Sequence, residues 1–172
     1  MQTEERLPDV VMGCLEACRR CEAAVLAVVS QDPAAFPAVG PHLRHCIEHF
    51  RLLLDGWREG SVDYDARPRD ARIAQDPEFA GRALAEIAGA LTTIRALDLA
   101  SPMSVAQSVA PGRPPVISPT RLDRELAFLS GHTIHHIAIM VLAARAAGVE
   151  IPAELAVAFS TDSDHECAGM KL

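Results

Sequence analysis

The chain has 172 residues, with 16 Lys plus Arg against 23 Asp plus Glu and a formal charge of −7. That length suits a single domain, residues 1–172, which buries roughly 70% of the surface its unfolded chain exposes and needs no covalent staple. A net negative field without a basic stripe argues against a nucleic-acid partner, and an aromatic share of 4% favours Ala-mediated helix packing over a sheet sandwich.

The opening "MQTEERLPDVV" is acidic where a signal peptide is basic, and no stretch reaches about 18 apolar residues without a charge. The expectation is therefore a cytoplasmic protein without a membrane span. A first helix begins near Pro8, which a first turn tolerates, and runs through "DVVMGCLEACRRCEAAVLAVVS" until the prolines of "QDPAAFP" stop it. Cys14, Cys18 and Cys21 fall at i, i+4, i+7 and share one face. An odd total of five cysteines argues for reduced thiols, expected to pack in the core. The alternative is a soft-metal or redox site, to which the chain adds only Cys46 and Cys167.

A second helix is predicted over "GPHLRHCIEHFRLLLDGWREG", where Leu43, Ile47, Phe50 and Leu54 repeat every three or four residues and Gly56 and Gly60 weaken the last turns. The polar "SVDYDARPRDARIAQDP" reads as an ordered loop or broken turns. Its Arg67, Arg69 and Arg72, beside Asp65 and Asp70, form either a structural ion-pair network or a cover that pins an anionic substrate. Asp76 caps a third helix, "PEFAGRALAEIAGALTTIRALDL", with Pro77 at its first position. Short alternating runs in "MSVAQSVAPGRPPVISP" fit a small hairpin. The fourth helix, within "SPTRLDRELAFLSGHTIHHIAIMVLAARAAG", starts at a Thr120–Asp123 capping arrangement and stops at Gly148. "PAELAVAF" adds one or two turns and "STDSDHECAGMKL" is expected to be loose. The predicted fold class is all-α, a four-helix bundle with long crossover linkers.

Histidines are concentrated on two of these helices. His132 and His136, four apart, differ by about 40° in direction and can point at one centre, whereas His135 is displaced by about 60°. On the second helix His42, His45 and His49 lie within an arc of about 60°. Burying several imidazoles is costly unless each finds a partner, and one cation shared between two helices satisfies them together. Neutral imidazoles without an assured carboxylate suit Zn²⁺ or Ni²⁺ better than Mg²⁺ or Ca²⁺. Three ligands leave an open position for an activated water; a fourth, His49, would close the site. Glu125 lies seven residues before His132 on nearly the same face, as a partner for a ring N–H or a catalytic base; its alternative is an ion pair with Arg121 or Arg124. Glu48 points about 100° from His49 and is expected to face solvent.

These residues resemble the DinB-like (YfiT-like) superfamily of proposed metalloenzymes. The family's glycine and first metal histidine on the second helix match Gly40 and His45 in "VGPHLRHCIEHFRLLLDG", and its HxxxH pair matches His132 and His136. A bacterial branch is similar in "HFRLLLDG", "DYDARPRD", "REL" and "HTIHH", so the likeness runs from the first helix to about Phe159. It implies a four-helix bundle, a metal on His45, His132 and His136, and chemistry that includes transfer and isomerisation with low-molecular-weight thiols. His49 departs from the pattern, standing where many relatives carry a non-ligating residue, and the first-helix cysteines lie outside it. The expectation is a divalent-metal protein activating water or a small thiol. Its alternative is a non-catalytic or stress-related bundle with a structural metal or a structural histidine cluster, and a homodimer is expected on general frequency.

Overall fold

The computed structural model describes residues 6–161; Cys167 and the tail from residue 162, expected to be loose, lie outside the described residues. Four long helices carry the chain: α1 (Asp9–Gln31), α2 (Phe36–Gly56), α4 (Pro77–Leu91) and α5 (Leu122–Ala146), with a short α3 (Ala71–Gln75). Three strands, β1 (Ser61–Asp63), β2 (Pro102–Gln107) and β3 (Val116–Arg121), make one sheet. The predicted bundle is present, but the all-α assignment needs correction by this small mixed sheet.

Val11, Cys14, Cys18, Cys21, Val25 and Val28 put one apolar face of α1 into the core, as their spacing requires. α1 and α2, although joined by only a 3₁₀ turn, make little contact with each other; each packs between α4 and α5. α2 begins at Phe36, earlier than predicted, because Pro37 occupies the first turn, where the missing N–H has no helical partner, and Pro41 gives up a single ladder bond inside the helix. Asp76 caps α4 by accepting from the Glu78 and Phe79 amides at 2.9 and 3.0 Å. α4 ends at Leu91 and not near Leu99, where Thr92 and Thr93 turn their hydroxyls onto the Gly89 and Ala90 carbonyls. Gly148, at φ 83°, supplies the left-handed residue that ends α5.

"SVDYDARPRDARIAQDP" is more ordered than a loop. It contains β1 and α3, and β1 adds in parallel to the predicted hairpin of β2 and β3, with Val62 opposite Val105. α3 lies so close to α2 that a Cβ on Gly40 would meet the Ala74 carbonyl oxygen at 2.0 Å. A single core cluster takes in Val25, Leu43, Phe50, Ile87, Leu126 and Met140 from four helices. Among the described residues only α5 has the length and mean hydropathy, 1.5, of a membrane span; its Leu122, Leu126, Leu129, Ile137 and Met140 are buried in the bundle.

Candidate metal centre

α2 and α5 run alongside each other and bring their histidines into one cluster. His45 Nε2 lies 2.8 Å from His132 Nε2, and the ring centroids of His45 and His136 are 4.2 Å apart. One ring nitrogen from each of His45, His132 and His136 falls within 4.8 Å of the other two. Burial, joined by the neighbouring rings and Arg67, pushes His45 down to about 2. Burial and the surrounding histidines push His136 down to about 4, and burial also lowers His132. The rings are therefore neutral near pH 7, each with one donor and one acceptor nitrogen, and a ring turns its acceptor nitrogen to an ion by choice of tautomer. A half-buried set of three neutral imidazoles fits the donor chemistry of Zn²⁺ or Ni²⁺.

His49 is buried beside this set but outside it. Its Nδ1 donates to the His45 carbonyl at 2.7 Å, its ring stacks on Tyr64 with centroids 5.0 Å apart, and burial lowers it to about 4. His42 Nδ1 lies 3.3 Å from His136 Nδ1. With His136 donating in that contact, its Nε2 keeps the lone pair, which is how an outer partner fixes the tautomer of a metal ligand. The sequence held this signal in the His42–His45–His49 arc without revealing which member would support and which would ligate. His135 is exposed at the edge, its ring centroid 5.6 Å from that of His136.

Two acids near the cluster are buried. Glu125 is fully buried, but its oxygens accept from Tyr64 Oη at 2.9 Å, Thr120 Oγ1 at 2.7 Å and Arg124 Nη1 at 2.9 Å. The ion pair with Arg124 is the alternative foreseen for it, and Thr120 spends its hydroxyl here instead of capping α5. Glu48 does not face solvent: it is 1% exposed, because the segment from Asp65 to α3 folds over that side of α2, and it accepts the Asp70 amide at 2.7 Å.

The same segment brings Arg67 to the histidines. Its Nη1 donates to His45 Nδ1 at 2.6 Å while Nε holds the Tyr64 carbonyl at 3.1 Å. Asp70 pairs with Arg72, so the charges of "DYDARPRD" divide between a local ion pair and a contact with the cluster. Tyr64 and Phe128 wall one side, Phe128 stacking on His132 at 5.1 Å between centroids. Both also line a cavity of about 230 Å³ reaching Val105, Gln107, Ser118 and Arg124.

The cysteines of α1 stand apart from all this. Cys14, Cys18 and Cys21 are buried, burial raises Cys14 and Cys18 to about 12, and the Cys14 thiol donates to the Leu126 carbonyl at 3.2 Å.

Compared with family models, curated proteins and solved structures, the chain finds no match in any of the three.

Proposed function

We propose that this chain binds a divalent ion, Zn²⁺ or Ni²⁺, on His45, His132 and His136, and that the ion activates a water or a low-molecular-weight thiol. The convergence of three neutral ring nitrogens within 4.8 Å carries this reading. Three protein ligands leave a fourth position for a reacting group, and a bound ion supplies a lowered pKa to whatever water or thiol occupies it. The chain's own contributions are to orient His136 through His42, to wall the site with Tyr64 and Phe128, and to offer the adjoining cavity to a small substrate. The order of Gly40, His45 and the His132–His136 pair supports membership of the DinB-like superfamily.

Elemental analysis of untagged protein tests the proposal. One equivalent of metal is expected in the wild type and less than a tenth of that in a His132→Ala, His136→Ala double variant; equal content in both would overturn it.

A purely structural histidine cluster is the second reading, favoured by the 2.8 Å His45–His132 contact, through which the rings satisfy one another without an ion. It predicts a melting temperature that added Zn²⁺ or Ni²⁺ leaves unchanged.

A further inference from the structure

We propose that Arg67 is the binding group for a carboxylate on the molecule that occupies the open metal position. The inference rests on the metal reading above and adds a substrate class to it. Three observations carry it.

The first is charge. Imidazoles that ligate an ion add no charge of their own, so an ion on His45, His132 and His136 brings an uncompensated double positive charge, and Arg67 adds another at the Nδ1 edge of the His45 ring. Among the described residues no carboxylate forms an ion pair with Arg67. Asp65, its neighbour on the same segment, turns its Oδ2 to the Ser108 amide at 2.6 Å. Glu125 is held by Tyr64, Thr120 and Arg124, and Glu48 accepts the Asp70 amide on Oε1 while its buried Oε2 has no hydrogen-bond partner among the described residues. A half-buried guanidinium next to a metal cation is unfavourable unless an anion lies between them.

The second is hydrogen-bond direction. A guanidinium only donates, so His45 Nδ1 accepts from Arg67 and the ring's single proton sits on Nε2, facing His132. A neutral His45 that gives Nε2 to an ion carries its proton on Nδ1 instead, where it confronts the Arg67 N–H donor to donor. Arg67 then has to find another acceptor, and an anion on the metal supplies one. The planar fork of the guanidinium matches a carboxylate with two parallel N–H bonds.

The third is placement. Arg67 does not hang from a free loop: the Asp63 carboxylate takes the Asp65 amide at 2.9 Å, Asp65 takes Ser108, Glu48 takes the Asp70 amide, and Arg67 Nε holds the Tyr64 carbonyl. Arg69 accepts a left-handed φ of 54° within the segment, a conformation an L residue rarely adopts. A side chain anchored in this way loses little further freedom on binding a ligand.

The test uses full-length protein loaded with Co²⁺, whose visible bands report ligands at the metal, titrated with acetate and, as a neutral control, acetamide. The cobalt stoichiometry of each protein is measured first. Acetate is expected to saturate the wild type at a concentration at least about tenfold lower than Arg67→Met, with Arg67→Lys in between, while acetamide shows no such separation. Acetate midpoints within twofold of one another in wild type and Arg67→Met, both holding one Co²⁺, would overturn the proposal and leave the metal reading intact. A wild type that takes up no Co²⁺ overturns both. If Arg67→Met fails to fold by its melting curve, the comparison is made with Arg67→Lys, for which an unchanged acetate midpoint is the overturning result.

Discussion

Tyr64 donates its hydroxyl to the Glu125 carboxylate at 2.9 Å across 61 positions of sequence, tying the segment after β1 to the first turn of α5. Both groups are buried, so this bond fixes the wall of the histidine cluster from a distance. Burial and the adjacent carboxylate hold the Tyr64 hydroxyl protonated, its pKa far above the ordinary range. Tyr64→Phe is expected to cost about 1.5–3 kcal/mol, the range for a hydrogen bond to a charged group. Glu125→Ala, which strands Arg124 and two hydroxyls, is expected to cost more. Urea denaturation curves of the two variants check both values.

His49 is expected to be dispensable for metal. Its Nδ1 is committed to the His45 carbonyl and its ring to Tyr64. His49→Asn should therefore retain close to one equivalent by elemental analysis, whereas His136→Ala should lose most of it. Loss of metal in His49→Asn at unchanged stability would make His49 a fourth ligand and close the site.

Gly40→Ala tests the contact between α2 and α3. The added methyl would stand 2.0 Å from the Ala74 carbonyl oxygen, so α3 must move. The expected loss is about 1–3 kcal/mol or more, measured by thermal unfolding. Because α3 follows directly on the segment that carries Arg67, acetate binding should weaken in parallel.

The metal-free protein should be sensitive to mild acid. His45, His49 and His136 have folded pKa values pushed down to about 2, 4 and 4, below about 6.5 in an unfolded chain. The unfolded state therefore takes up protons first, and the stability that rests on neutral rings is complete above pH 6.5 and lost progressively as the pH falls toward 4. Melting temperatures between pH 7.5 and 4.5 should decline, and more shallowly in a His45→Gln, His136→Gln variant. A flat profile in the wild type would show that the rings are not held neutral by the fold.

The α1 thiols should be silent in the native protein. Cys14 and Cys18 are raised to about 12 by burial, so almost no thiolate exists at pH 8 and access is closed as well. A disulfide-exchange reagent is expected to react with them only after denaturant is added. Rapid reaction in buffer would reopen a redox role for the "CLEACRRCE" face.

The sequence by itself determined the four long helices, the Asp76 cap, the Gly148 stop and the pairing of His132 with His136, because each follows from spacing along a single helix or from one residue's bond to a nearby amide. It also brought Arg67 into view as one of several arginines in a charged segment. Only the tertiary structure decided that Arg67 meets His45, that His42 rather than His49 backs the cluster, that Glu48 is covered and that Glu125 serves Tyr64. A helical repeat fixes direction within one element to a few tens of degrees, but which neighbour covers a face depends on how non-consecutive elements pack. Here the parallel addition of β1 to β2 turns the segment that follows α2 back over the helix it has just left. No local periodicity encodes that long-range contact.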